Sequence, residues 1–441
     1  MELEIKKGAA IKLPNGYKQT EVGLIPEDWS LFSFDDIFSF NSTSNYSKAE
    51  MSDDNEVGCI HYGLIHGIPN SQYNLENGIK YYVSKEQAKY EFVRDGDVIM
   101  VDASEDLEGL NKSVEIKGVG DNKFISGLHT YLLRDKKSLL VDNFRGLVLN
   151  SKIVKNQMLQ LAVGMKVFGV SKSQIVNVKI PLPPTLEEQK AIATALSDVD
   201  DLISSLNALI AKKKAIKQGA MQQLLTPPHK GGKRLDGFDG EWEETNLGSL
   251  CTIFGRIGFR GYTVNDIVKE GQGAITLSPS NIVNGQLKLS KVTYLSWFKY
   301  EESPEIKIYN NDILLVKTGS TFGKTALVRG LKQKATLNPQ VIVLKKVKCN
   351  NVFLGYIMGF PIIQNQINST VVGGAIPTLS QEQVSRFKLF VPPTIEEQNA
   401  IASTLSDMDK ELEELASKKE KYEHIKQAMM QELLTGKTRL V

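Results

Sequence analysis

The clearest hydrophobic pattern in this 441-residue chain lies in two long segments whose apolar residues recur at alternating steps of four and three. The first seam consists of Ile192, Leu196, Val199, Ile203, Leu206 and Ile210, and the second of Ile401, Leu405, Met408, Leu412 and Leu415, with Tyr422 and Met429 further on. Such seams predict long helices with one narrow apolar face, as in coiled coils. A Thr-x-x-Glu sequence at 185–188 and again at 394–397 predicts a capped start for each helix.

The two helical segments are copies of one another. Residues 182–226 align with residues 391–435 at an offset of 209 without a gap, and 23 of the 45 aligned pairs are identical. Weaker similarity continues upstream, where residues 96–101 match 311–316 and residues 25–29 match 238–242. The chain therefore consists of two tandem repeats. Each repeat is a variable module followed by a near-constant helix.

The repeat predicts an α/β protein of five segments. These are an N-terminal module (1–181, the first module), a long helix (182–226), a linker (227–240), a C-terminal module (241–390, the second module) and a second long helix (391–435). Strand-like runs at 97–102, 311–316 and 341–344, and Ser-x-x-Gln helix caps at 171–174 and 380–383, predict mixed α/β modules. Since a lone apolar seam needs a partner, we expect the two helices, each about 63 Å long, to pair as an antiparallel coiled coil.

Composition and charge narrow the class of protein. Apolar residues make up 41% and charged residues 24%, and no apolar run approaches a membrane span. Residues 1–7 lack the apolar core of a signal peptide, and Cys59, Cys251 and Cys349 lie far apart, so we expect a cytoplasmic protein without disulfides. The net charge is +2, but residues 241–390 carry +7 (17 basic, 10 acidic) and residues 16–181 carry −4 (18 basic, 22 acidic). A basic module suits a nucleic-acid surface, although an ordinary solvated surface has the same charge pattern.

Catalytic and metal-binding motifs are incomplete. The sequence 319–325 has three residues between its glycines, whereas a phosphate-binding loop needs four. The sequence 338–341 lacks the second proline and the aromatic residue of an adenine methyltransferase loop, and the acidic stretch 102–106 is typical of a capped turn. The five histidines have no tight metal-ligand spacing. We therefore expect a chain that is not an enzyme and holds no metal.

Several motifs together resemble the specificity subunit of type I restriction-modification enzymes. These are PPTLEEQKAIA (183–193), PPTIEEQNAIA (392–402), YKQTEVGLIPEDW (17–29) and FDGEWEE (238–244). Residues 316–328, 102–116 and 126–130 are similar to loops of the target-recognition domains of that family. The resemblance covers nearly the whole chain, from about residue 16 to residue 434.

The resemblance implies that each module reads one half of a bipartite, asymmetric site in double-stranded DNA, and that the paired helices fix the spacing between the halves. It also implies that two modification subunits dock on the helices and that restriction subunits complete the complex. S-adenosylmethionine, ATP and Mg²⁺ would then be bound by these partners and no cofactor by this chain, and no membrane partner is implied.

The loop 317–324 is the leading candidate for a DNA contact. It follows a predicted strand, its two glycines allow close backbone approach, and its lysines and hydroxyls can meet phosphates or base edges. The candidate DNA-contacting residues are Lys317, Thr318, Ser320, Thr321, Lys324, Arg256 and Arg260 in the second module and Ser104, Lys112, Lys166 and Lys172 in the first. Two other classes stay open: a single-chain DNA methyltransferase or NTPase, which would need a complete cofactor loop, and a coiled-coil scaffold, which would not explain two differing modules.

Overall fold

A computed structural model of the chain describes residues 14–370 and 377–440. It divides into two structural units, one of residues 14–208 with 417–440 and the other of residues 209–370 with 377–416. Residues 1–7, on which the prediction about a signal peptide depends, lie outside the described residues. None of the described helices is long and apolar enough to cross a membrane.

The first unit contains the first module and parts of both long helices. Its strands are β1 (Tyr17–Thr20), β2 (Gly23–Pro26), β3 (Ser30–Ser33), β4 (Phe38–Asn41), β5 (Val57–Ile60), β6 (Gln72–Asn74), β7 (Tyr82–Val83), β8 (Val98–Val101), β9 (Ala103–Ser104), β10 (Ser113–Lys117), β11 (Phe124–Ser126), β12 (Thr130–Asp135), β13 (Phe168–Gly169) and β14 (Lys179–Leu182). Its helices are α1 (Phe34–Ile37), α2 (Tyr62–Gly67), α3 (Phe144–Leu149), α4 (Lys152–Leu161), α5 (Lys172–Ile175) and the first part of α6 (Leu186–Leu224).

The second unit contains the second module. Its strands are β15 (Glu243–Asn246), β16 (Thr252–Gly255), β17 (Ile267–Val268), β18 (Gly273–Leu277), β19 (Ile282–Val283), β20 (Gln286–Leu287), β21 (Thr293–Ser296), β22 (Ile313–Val316), β23 (Thr325–Leu327), β24 (Ala335–Leu337), β25 (Val341–Lys345) and β26 (Lys388–Val391). Its helices are the end of α6, α7 (Leu247–Leu250), α8 (Trp297–Glu301), α9 (Asn351–Gly359), α10 (Pro361–Ser369), α11 (Gln381–Ser385) and the first part of α12 (Ile395–Leu433).

The two modules share a topology. The sheet order β4-β12-β8-β10 in the first module corresponds to β16-β25-β22-β23 in the second, and β11-β5-β7 corresponds to β24-β18-β21. The central strands β8 and β22 are buried along their whole length, with alternate residues facing two different apolar clusters. Burial on both faces explains why these strands read as continuous apolar runs in the sequence.

The predicted local elements are present. The runs at 97–102 and 311–316 contain strands β8 and β22, and the run at 341–344 forms all but the last residue of β25. Helices α5 and α11 begin at the predicted caps, where Ser171 pairs with Gln174 and Ser380 with Gln383 in capping boxes. The prediction of mixed α/β modules is therefore confirmed.

The long helices α6 and α12 have 39 residues each and lie antiparallel in both units. In the first unit, Asp200 in the first half of α6 forms an ion pair with Lys426 in the last third of α12. In the second unit, Lys217 pairs with Asp409, and Lys213 lies 2.6 Å from Glu411. Residue numbers rise along one helix as they fall along the other, which confirms the predicted antiparallel pairing.

The seam residues at the start of each helix are part of a module core. Ile192 and Leu196 are buried in the cluster that contains Trp29 and Phe34, together with Leu433 and Leu434 from the end of α12. Ile401 and Leu405 are buried in the equivalent cluster of the second unit, together with Leu224 and Leu225 from the end of α6. Further along, Ile203 and Leu206 are buried. The half-buried seam residues are Val199, Ile210, Met408, Leu412, Leu415, Tyr422 and Met429. Each module core is thus completed by the tail of the other repeat.

Candidate nucleic-acid interface

The loop 317–324 joins β22 and β23, which pair antiparallel. Val316 N donates to Lys324 O at 2.8 Å, and Gly323 N donates to Val316 O at 2.9 Å, so the loop is closed by backbone hydrogen bonds. Gly319 and Gly323 have φ angles of 103° and 82°. A Cβ at Gly323 would also lie 3.0 Å from Ile367, so both conformation and space favour glycine there.

The polar residues of this loop differ in exposure and in their neighbours. Ser320 and Lys324 are exposed, and Lys317, Thr318 and Thr321 are half-buried. Lys324 lines a cleft of about 760 Å³ between the module and the helices of the same unit. Lys317 instead lies beside the turn 338–340, because its backbone N–H donates to Gln340 O at 2.8 Å. Lys324 therefore borders the cleft, whereas the backbone of Lys317 is joined to the turn 338–340.

The loop 317–324 meets two other segments at one edge of the second module. Leu379 N donates to Lys317 O at 2.8 Å, and the hydroxyls of Thr318 and Thr378 lie 2.9 Å apart. Residues 338–341 form a turn in which Gln340 N donates to Asn338 Oδ1 at 2.8 Å, as expected for an ordinary turn.

Arg256 lies inside the module. Only 4% of it is exposed, and it donates to Leu337 O and to Thr336 Oγ1, each at 3.0 Å. Burial lowers the pKa of its guanidinium. Arg260 forms an ion pair with Glu305 at 3.4 Å. Arg256 therefore fastens the segment after β16 to β24, and its side chain is not presented to a ligand.

The candidates of the first module lie on separate segments. Ser104 is buried and its hydroxyl accepts from Asp106 N at 3.3 Å, within the predicted capped turn. Lys112 Nζ donates to His66 O at 2.9 Å, and burial lowers the pKa of its ammonium group. Lys166 is exposed in the loop between α4 and β13, and Lys172 Nζ lies 4.7 Å from the ring centroid of Phe40. Ser104 and Lys166 come from adjoining segments, because β9 pairs with β13.

Three residues beside these loops, Asp102, His129 and Gln340, are not among the predicted DNA contacts. Asp102 Oδ1 lies 3.4 Å from His129 Nδ1, and the ring of His129 stacks edge-on against Tyr62 at 5.5 Å. Gln340 holds the corresponding place beside Lys317 in the second module. The resemblance of residues 102–116 and 126–130 to target-recognition loops includes Asp102 and His129. The structure adds that His129 and Gln340 directly precede the strands that pair with β8 and β22. Within the described ranges, no three His, Cys, Asp or Glu side chains come together as a metal site.

The chain thus holds two modules of one topology, each joined to duplicated antiparallel helices and each with its own polar loops. A family model described as "Type I restriction modification DNA specificity domain" matches residues 26–218 and 239–423. The chain therefore belongs to the type I restriction-modification DNA specificity family, and it carries two copies of the domain.

Individual relatives agree with this assignment over nearly the whole chain. The type I restriction enzyme MjaVIII specificity subunit of Methanocaldococcus jannaschii is 26% identical over 429 residues, which cover 94% of each chain. The type I restriction-modification S subunit from M. genitalium has a similar fold, with a TM-score of 0.55 and 15% identity over 96% of this chain and 98% of that one. A chain from a structural study of complex assembly and conformational transition in the type I R-M system has a TM-score of 0.57 and 16% identity, over 94% of this chain and 99% of that one.

Proposed function

We propose that this chain is the DNA-specificity subunit of a type I restriction-modification complex and reads a bipartite, asymmetric site, one half with each module. The observation that carries the proposal is the duplication itself. The modules share a topology but differ in charge and in loop residues, whereas the helices are nearly constant. Two related but non-identical readers on a common support suit two different half-sites.

The helices α6 and α12 would set the spacing between the half-sites and dock the modification subunits. At 1.5 Å per residue, each 39-residue helix is about 58 Å long. Ile216 and Ile425 occupy the same position of the repeat, and both are exposed, at 47% and 36%. An exposed apolar residue that recurs in each repeat suits two equivalent docking contacts, one for each of two modification subunits.

The catalytic reactions would be carried out by the partner subunits. We propose that this chain is not catalytic, and that S-adenosylmethionine, ATP and Mg²⁺ are bound by the modification and restriction subunits. The support is the incomplete phosphate loop at 319–325 in the sequence. A complex of this kind would act in the cytoplasm, where its DNA lies.

The test is methylome sequencing of cells that express the chain with its modification subunits. The expected result is one bipartite methylated motif, whose spacer changes when both helices are lengthened by the same number of residues while both halves stay unchanged. Methylation by the chain alone would instead indicate a single-chain methyltransferase. An assembled complex without sequence-dependent DNA binding would indicate a scaffold.

Docking is tested separately with Ile216→Glu and Ile425→Glu. Each single change is expected to remove one modification subunit from the complex, and the double change both. Leu209→Glu is the matched control, because Leu209 is also an exposed apolar residue of α6 (38%) but its counterpart in α12 is Lys418. Full assembly of the double variant in size-exclusion chromatography would refute the proposed contacts.

A further inference from the structure

Asp102 in the first module and Lys317 in the second directly follow the central strands β8 and β22. Asp102 N donates to His129 O at 3.2 Å, and Lys317 N donates to Gln340 O at 2.8 Å. His129 and Gln340 in turn directly precede β12 and β25, which pair with those central strands. The same backbone bond therefore closes the same corner of each sheet.

A second pair of contacts supports the equivalence from the other side. Val170 N donates to Asp102 O at 3.2 Å, and Leu379 N donates to Lys317 O at 2.8 Å. The next residues also pair in the same way, Ala103 with Gly169 and Thr318 with Thr378. Each of these segments leads directly into a capped short helix, α5 or α11. We call this set of backbone hydrogen bonds, present in both modules, the loop frame.

The side chains carried by the loop frame have opposite chemistry. In the first module the frame carries a carboxylate, Asp102, whose side chain is 27% exposed and lies beside a 50% exposed imidazole, His129. In the second module it carries a half-buried lysine, Lys317, whose backbone N–H donates to Gln340 O. Since every bond of the frame comes from the backbone, the side chain can be exchanged without breaking the frame. Arg256 differs in this respect, because its own side chain makes the structural bonds.

We propose that Asp102 and Lys317 are equivalent base-reading residues, one in each module. A lysine donates to the O6 and N7 acceptors of guanine in the major groove, and a carboxylate accepts from the N4 amino group of cytosine. Lys317 would therefore specify a guanine in one half-site and Asp102 a cytosine in the other. This inference rests on the proposed function, since it assumes that both modules meet DNA.

The experiment uses the complex assembled with modification subunits and compares the methylated motif of the wild type with those of Asp102→Asn and Lys317→Met. Each change removes one charge and nearly preserves side-chain volume. Asp102→Asn is expected to reduce discrimination at a single base pair of one half-site by roughly tenfold to a hundredfold, and Lys317→Met to do so in the other half-site. The rest of the motif and its spacer are expected to stay unchanged.

Matched controls come from the far ends of the neighbouring strands. The control substitutions are Asp121→Asn and Lys332→Met. Asp121 lies in the exposed turn after β10, and Lys332 lies in the exposed turn after β23. Both are expected to leave the motif unchanged. The thermal unfolding temperature of each variant is expected to match that of the wild type. If a variant of Asp102 or Lys317 failed to assemble, this would contradict a loop frame that is held by backbone hydrogen bonds alone.

The two proposals fail in different ways. A wild-type complex that methylates no bipartite motif would refute the proposed function, and this inference with it. A wild-type bipartite motif that stays the same in Asp102→Asn or in Lys317→Met would overturn the inference and leave the function standing. A change in both halves from one substitution would also overturn it.

Discussion

Arg234 donates two hydrogen bonds to the buried carboxylate of Glu397, from Nε to Oε1 at 3.0 Å and from Nη2 to Oε2 at 2.6 Å. Trp242 Nε1 adds a third bond at 3.2 Å. Glu397 is the acid of the Thr-x-x-Glu sequence that begins α12, and Arg234 belongs to the segment that follows α6. The first unit repeats this relationship, since Arg439 after α12 pairs with Glu188 at the start of α6. Each unit is fastened where one repeat ends and the other helix begins.

Removing Arg234 is expected to destabilise the second unit strongly. Arg234→Ala leaves the Glu397 carboxylate, 1% exposed, without its guanidinium, and breaking a buried pair costs about 3–5 kcal/mol. Urea unfolding followed by circular dichroism measures the loss. The control is Arg386→Ala, whose partner Glu382 is 73% exposed and whose loss is expected to cost under about 1 kcal/mol. Equal losses of unfolding free energy in the two variants would contradict the expected contribution of the buried Arg234–Glu397 pair.

The three thiols are expected to resist labelling until the protein unfolds. Burial raises the pKa of Cys251 to about 12 and that of Cys349 to about 11, and it also raises the pKa of Cys59. A thiol titrating near 11 is thiolate in only about one molecule in a thousand at pH 8, and the thiolate is the reactive form. Reaction with a disulfide reagent at pH 8 should therefore be slow in the native protein and should speed up as the pH rises toward 11. Rapid native labelling of any of the three would contradict this.

The same thiols report which unit opens. Cys59 lies in the first unit, and Cys251 and Cys349 lie in the second. Arg234→Ala should therefore accelerate labelling of Cys251 and Cys349 while Cys59 stays protected. Mass spectrometry of labelled peptides distinguishes the sites.

Truncating a buried seam residue is expected to destabilise the core of a module. Leu405 is fully buried in the core of the second unit, so Leu405→Ala should cost about 2–5 kcal/mol of unfolding free energy. Leu209→Ala removes the same atoms from a side chain that is 38% exposed and is expected to cost much less. Equal losses of unfolding free energy from Leu405→Ala and Leu209→Ala in chemical denaturation would contradict the role of Leu405 in the module core.

Lys324 is expected to contribute to DNA affinity without sequence preference. If its exposed ammonium meets one phosphate, Lys324→Ala in the assembled complex should weaken binding to all sequences alike. The slope of log affinity against log salt should then become shallower by about 0.9. Fluorescence anisotropy at several salt concentrations measures the slope, with Lys332→Ala as control. An unchanged slope would remove Lys324 from the DNA contacts.

Exchange of the first module is expected to rewrite one half-site. Replacing residues 16–181 with the corresponding segment of a relative should change one half of the methylated motif and leave the other half and the spacer intact. A graft that keeps the apolar residues facing Leu433 and Leu434 is needed, because those side chains complete the core. A motif altered in both halves would contradict independent modules.

The sequence predicted those features that repeat locally. The seams and the Ser-x-x-Gln caps at α5 and α11 are set by neighbours within a few residues, so periodicity and capping rules identify them. The residues that cover a buried face, in contrast, come from distant parts of the sequence. Nothing in the spacing of Ile192 and Leu196 indicates that Leu433 and Leu434 cover them.

The candidate site was predictable only in part for the same reason. The loop 317–324 stands out by composition, but the pairing of Asp102 with His129 needs the register of β8 and β12. Arg256 is among the DNA contacts predicted from the sequence, but the structure buries this residue. Its guanidinium donates to the carbonyl of Leu337 and the hydroxyl of Thr336, about 80 residues away in the sequence, and no local pattern indicates such distant partners.

The completion of each module core by the opposite tail has an evolutionary consequence. A half-length chain, made of one module and one helix, would carry both an uncovered core and a tail able to cover one. Two identical copies would then satisfy each other by exchanging tails, and such a homodimer would address a palindrome. Fusion of two such genes would free the halves to diverge, so that charge and loop residues could differ while the exchanged tails stayed alike.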